Sequence, residues 1–290
     1  LMEKTMSNNQ HATDSIIRFE TLSWKQIDEL DRIKTLFFLP ISPLEEHGPH
    51  LPVGTDLLTA QDASTQSIKQ LQTKYPTHQF ILLPSVPLGF AGFNTDFPGT
   101  VSVSSKVVKN VVYQYGKMLA EHGFSNLLVC SYHMALAHLK GIYQALSKLQ
   151  RKYKMNCCEP WSSVFYSDQI SKEEPTLDFD TKTEVHAGFR ETSLMKYTHP
   201  ELVNKNYKDL PLVFSEKIFS PIAAFKSFKQ LGIKDGYVGS PSKADETYGK
   251  WFFDLTVNTY VDAARRMINH EPLPDLPKKL KQQMRLLFWL

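Results

Sequence analysis

Short apolar runs alternate along this chain with longer amphipathic segments. The run IKTLFFLPIS (33–42) predicts a buried strand, and Pro40 inside it predicts that pairing ends early. DLLTAQDASTQSIKQLQ, from Asp56 onward, reads as a helix that Thr55 or Asp56 can cap. QFILLPSV (79–86) reads as a second strand, and GFAGFNTDFPGT after it as a loop rich in turn residues. In SSKVVKNVVYQYGKMLAEHG, apolar residues at 107, 108, 111, 112, 115, 118 and 119 form a helical stripe, with Ser104 near its start and Gly123 placed to end it. FSNLLVCS (124–131) predicts a third strand, LAHLKGIYQALSKLQRKY (136–153) a helix and WSSVFYS (161–167) a fourth strand.

Strands alternating with helices imply a mainly parallel sheet covered on both faces. Ligand sites in such sheets form beyond the carboxyl ends of the strands. Two polar segments fall at such ends: EEHGPHLPVGTD (45–56) after the first strand, and Tyr132-His133 after the third.

Bulk composition narrows the partners. With 290 residues, 42% of them hydrophobic, the chain can bury a substantial core. Its 33 basic and 30 acidic residues nearly balance, so nucleic-acid binding is not expected. The three cysteines, Cys130, Cys157 and Cys158, show no CxxC or zinc-finger spacing, which suits a reducing compartment. No run of ~18 apolar residues offers a membrane span. Residues 1–14 are polar and read as a loose tail, residues 15–270 as the functional domain, and the protein as cytoplasmic. The remaining segment, 271–290, ends LPKKLKQQMRLLFWL and is expected to dock on the core or on a neighbouring subunit.

The segment 45–56 carries the candidate chemistry. In extended chain, residues two apart point the same way, so Glu45 and His47 can face one point. GPHLPVG is too rich in Gly and Pro for a helix and must loop back, and Asp56 then lies near a helix start, where a carboxylate is favoured. Imidazole and carboxylate together suit a divalent zinc, manganese or iron ion, and a two-oxygen carboxylate can bridge a pair of them. A second polar cluster, EVHAGFRETSLM (184–195), sets His186, Glu191 and Thr192 around a tight turn feeding a helix.

Together, LPISPLEEHGPHLPVGTD and HAGFRETS resemble the creatininase (creatinine amidohydrolase) family, and FPGT (97–100) and GSPSKADETYGK (239–250) match as well. The resemblance implies a three-layer α/β/α sandwich and a two-metal site that hydrolyses C–N bonds of amides through a metal-bridged hydroxide. It implies that Glu45, Asp56 and His133 bind one divalent ion, that His47, Asp56 and Glu191 bind the other, and that His186 is the catalytic acid/base. It also implies a homo-oligomer, with the hexamer common among members.

The chain departs from the family around the third strand. SYHMALAH keeps His133 but replaces the flanking glycines, placing Met134 and Ala135 on the substrate wall. Trp161 matches one of the aromatic residues that would sandwich a creatinine ring. Phe93-Asn94 stands where the family has Glu-His before FPGT. The expected substrate is therefore a small amide or formamide, cyclic or open, other than creatinine. The alternative is a non-catalytic oligomeric scaffold that kept the fold. His50 is expected to hydrogen-bond rather than ligate, His138 to pack, and the cysteines to be inert.

Overall fold

Five parallel strands lie in the order β1–β3–β2–β4–β5 in the computed structural model, which describes residues 16–220 and 226–286. They are β1 (Ile17–Arg18), β2 (Thr35–Pro40), β3 (Gln79–Leu82), β4 (Asn126–Cys130) and β5 (Asn156–Cys158). The expected tail at 1–14 lies outside the described residues, as do residues 287–290.

Strand β2 is buried on both faces, as a central parallel strand must be. Its side chains alternate between two cores. Leu36 and Phe38 join helices α2 (Thr55–Lys74) and α8 (Glu246–Ile268), whereas Phe37 and Leu39 join α3 (Ser105–Glu121) and α4 (Leu136–Tyr153). The result is a three-layer α/β/α sandwich. Helix α9 (Lys278–Leu286) belongs to the second core, where Leu280 and Met284 are buried.

The connections explain where a site can form. The chain leaves β2 toward α2 on one face, and leaves β4 toward α4 on the other. Adjacent strands whose exits diverge open a crevice at their carboxyl ends. Residues 42–56 follow β2 into that crevice, and residues 131–135 follow β4 into it.

Three expectations change. The segment 161–167 is not a strand: Trp161–Phe165 is a short helix, α5, and the fifth strand is Asn156–Cys158 just before it. Trp161, Val164 and Phe165 have helical i, i+3, i+4 spacing, Pro160 has no N–H for a ladder, and the Glu159 carboxylate accepts hydrogen bonds from the Trp161 and Ser162 amides. Pairing also continues past Pro40, since the Ile41 amide donates to the Cys130 carbonyl at 2.9 Å. Finally, Gly54 is the N-cap of α2, and the Thr55 hydroxyl bonds back to the Pro52 carbonyl. Asp56 is thus left free to face the crevice.

Helix α7 (Phe189–Thr198) crosses α8 at a close backbone contact: a methyl group added at Gly249 would overlap the Ser193 carbonyl. Gly249→Ala is expected to force the helices apart and destabilise the protein by ~2–3 kcal/mol in urea denaturation. A change below ~0.5 kcal/mol would show that the helices can slide.

Glu159 is fully buried, and burial raises its carboxyl to about 7 despite hydrogen bonds from Ser162 and Trp161. A raised carboxyl binds its proton more tightly in the folded chain, so its contribution to stability falls as pH rises from the unfolded value of 4.5 toward 7. Over that window the natural protein is expected to lose ~3 kcal/mol relative to Glu159→Gln. Identical pH slopes in the two proteins would mean that Glu159 is ionised in the folded state.

Candidate metal centre

The chain between β2 and α2 folds back on itself through Gly48, whose φ of +67° is in the left-handed region that glycine tolerates. The FPGT segment holds this loop: the Glu46 amide donates to Thr100 Oγ1 at 3.0 Å and the Val101 amide to the Leu44 carbonyl at 2.9 Å. Glu45, His47 and Asp56 are thereby brought together, at most 3% exposed. His133 arrives from the end of β4, and Glu191 from the first turn of α7.

Two triads result. Ligand-type atoms of Glu45, Asp56 and His133 lie within 4.8 Å of one another, and so do those of His47, Asp56 and Glu191. Asp56 belongs to both, with Oδ2 2.9 Å from His133 Nδ1 and Oδ1 3.3 Å from His47 Nε2. Glu45 Oε2 is 2.9 Å from His133 Nδ1, and Glu191 Oε2 is 3.9 Å from His47 Nε2. The structure brings together all five residues expected to ligate.

The imidazoles are oriented by backbone carbonyls. His133 Nε2 lies 2.8 Å from the Phe90 carbonyl, which can only accept, so that nitrogen carries the proton and donates it. Its Nδ1 then faces Glu45 and Asp56, 2.9 Å from an oxygen of each, where a proton or a cation can sit. His47 does the reverse: Nδ1–H donates to the Glu45 carbonyl at 2.9 Å and Nε2 faces Asp56 and Glu191. Such partners fix the tautomer of a ligating histidine. His47 Nε2 and Glu45 Oε2 are buried without a hydrogen bond of good geometry, which fits atoms aimed at a cation.

The electrostatics agree. Burial pulls the His47 imidazole down, but Asp56, Glu191 and Glu45 outweigh it and raise it to about 10. Burial opposes ionisation of Asp56, yet His47 and His133 hold it well below the usual carboxylate range. Burial keeps Glu191 above that range. Three carboxylates this close favour positive charge among them, for which protons and metal ions compete.

His186 lines the same cavity. Antiparallel bonds with Val238 fix its backbone, and Ala187 after it turns with φ +48°, donating its amide to Glu191 Oε2. That left-handed turn points both His186 and Glu191 inward. His186 Nε2–H donates to the Glu46 carbonyl at 2.8 Å, and its ring lies 4.5 Å from that of His47.

The reading from sequence overlooked Glu46 and Asn94 as parts of the site. Asn94, 1% exposed, donates Nδ2 to Glu45 Oε1 at 2.5 Å and lies 3.1 Å from His186 Nε2. Its place before FPGT, where the family has another residue, was the available signal. Glu46 is the residue between Glu45 and His47; its carboxylate accepts the Gly48 amide and lies 3.6 Å from His186. His50 Nε2 meets Thr192 Oγ1 at 2.8 Å, a hydrogen bond that tethers α7 beside Glu191. His138 is fully buried against Ser131.

Met134 and Ala135 line the cavity of about 690 Å³ above the triads. Trp161 does not. It is fully buried beneath Tyr132, with ring centroids 6.1 Å apart and planes at 13°, so Tyr132 takes the wall position expected of it.

A model of the creatinine amidohydrolase family matches residues 20–264. Creatinine amidohydrolase of Pseudomonas putida is 24% identical over 258 residues, covering 84% of this chain and 94% of that protein. Mycofactocin precursor peptide peptidase of Mycolicibacterium smegmatis is 25% identical over 244 residues, covering 82% and 87%. A manganese form of creatininase superposes with a TM-score of 0.66 at 21% identity, covering 88% of this chain and 99% of that one.

A cation held by both triads stabilises the folded chain by mass action. Saturating zinc or manganese is expected to raise the midpoint of thermal unfolding of chelator-treated protein by about 5 °C or more. Coincident midpoints with and without metal would show that the cluster holds none.

Proposed function

The chain belongs to the creatininase family, and on that premise we propose that it is a metal-dependent amidohydrolase cleaving a C–N bond of a small amide or formamide other than creatinine. The observation that carries this reading is the pair of triads sharing Asp56 at the floor of one cavity. Mixed imidazole and carboxylate donors suit two divalent ions, zinc, manganese or iron. When bound, such ions make water a nucleophile near neutral pH and polarise an amide carbonyl.

The chain's own residues supply the rest. The Phe90 and Glu45 carbonyls keep the His133 and His47 lone pairs turned inward. Asn94 holds one oxygen of Glu45 and leaves the other to face His133. His186 keeps a proton on Nε2 at the cavity wall, where burial and His47 lower its basicity but Glu45 and Glu46 raise it above the ordinary value. A histidine made more basic by neighbouring carboxylates holds its proton more firmly and can deliver it to the departing nitrogen.

The walls support a substrate other than creatinine. Met134 replaces the backbone-bare glycine wall of the family, and Phe93, Phe165, Phe228 and Leu231 line the space beyond it. Trp161 is not available to stack on a ring. A substrate with an amide at one end and an apolar group at the other fits these surfaces.

Metal content tests the centre directly. About two ions per chain are expected, falling to about one in Glu191→Ala. His186→Ala is expected to keep both ions and lose ~10²–10⁴-fold in kcat on a substrate found among formamides, cyclic ureides and short peptides. Near-zero metal after supplementation would overturn the hydrolase reading in favour of an oligomeric scaffold.

A further inference from the structure

A second groove, of about 830 Å³, shares no lining residue among the described ones with the cavity over the candidate metal centre. One wall is helix α4; the other is the C-terminal segment leading into α9. That segment follows the part of the chain matched by the family model, which ends at residue 264. Leu276, Leu280 and Met284 anchor it in the core.

The charge of the groove is one-sided. Lys109 of α3, Lys140, Lys148 and Arg151 of α4, and Lys281 of α9 line it, against a single carboxylate among the described residues, Asp275, which already pairs with Lys281. The whole chain carries 33 basic residues against 30 acidic, so this imbalance is concentrated here rather than spread over the surface. Positions 140, 144, 147, 148 and 151 recur at helical spacing and place their side chains on one face of α4. Lys140 is only 9% exposed and is set into the wall. Lys148 is held over the Tyr113 ring, 3.8 Å from its centroid. Like charges gathered around a concave space repel one another and focus a positive potential into it.

We propose that this groove binds a small, multiply charged phosphate ester. The cations would meet the phosphates, Gln144 and Ser147 on the same face add neutral donors, and Leu273 and Pro274 offer a surface to the organic part. A free metabolite suits the concave shape better than a flat membrane surface does.

Fructose 1,6-bisphosphate is a suitable probe, titrated calorimetrically into the full chain at about 50 mM salt. Saturable binding of one probe per chain with Kd below about 1 mM is expected. Lys148→Glu and Arg151→Glu, both exposed positions, should each weaken it about tenfold or more, with Lys148→Gln and Arg151→Gln as milder versions should either reversal impair folding. Glu191→Ala should leave binding unchanged, which separates this site from the candidate metal centre. No saturable binding, or binding that survives both reversals, would overturn the proposal. Loss in Glu191→Ala would place the anion at the metal centre instead, and capture only by phosphatidylserine vesicles would assign the patch to a membrane.

Discussion

Three carboxylates, those of Glu45, Asp56 and Glu191, are drawn together at the floor of the cavity, the first two buried and the third half-buried. Two like charges ~4 Å apart repel by about 4 kcal/mol even at an effective dielectric of ~20. A fold that holds such a cluster must both place positive charge within it and resist its tendency to open. Much of the local structure answers one of those needs. His47 and His133 interpose their nitrogens between the carboxylates, and backbone carbonyls behind them fix which nitrogen faces inward. Asn94, the Ala187 amide and the Thr192–His50 bond hold the outer atoms in place.

The sheet makes this concentration of charge possible. Residues 42–56 and 131–135 come off neighbouring strands whose helices lie on opposite faces, so the carboxyl ends of β2 and β4 are not covered by either connection. The third contributor, α7, is set by contacts far from the charges. Glu184 accepts the Phe189 and Ser240 amides, Asp245 caps α8 through the Tyr248 amide, and Gly249 lets α8 approach Ser193. The GSPSKADETYGK segment therefore acts on the site by positioning α7, without entering the site itself.

Much of the architecture was legible in the chain. Strands β2, β3 and β4 and helices α2, α3 and α4 appear where apolar runs and helical stripes predicted them, because a buried parallel strand and an amphipathic helix carry different periodicities. The Trp161–Phe165 helix was misread because a seven-residue stretch with apolar residues at 161, 164, 165 and 166 is too short to separate the two periods, and the buried Glu159 carboxylate, accepting the Trp161 and Ser162 amides, decided between them. Of the five clustered residues, Glu45, His47 and Asp56 were legible because two carboxylates and an imidazole are rarely placed at a strand end for packing alone, whereas the ligand roles of His133 and Glu191 came from the resemblance to the creatininase family.

What sequence alone determined, then, was local: periodicity, and residue types whose chemistry requires close partners. What only the tertiary structure decided was direction. Whether Trp161 or Tyr132 meets the cavity, whether Asn94 touches Glu45, and which nitrogen of His133 faces inward all depend on contacts between segments tens of residues apart. A side chain's type is written in the chain, but the surface it meets is assembled only when distant segments pack, and so it has no local signature.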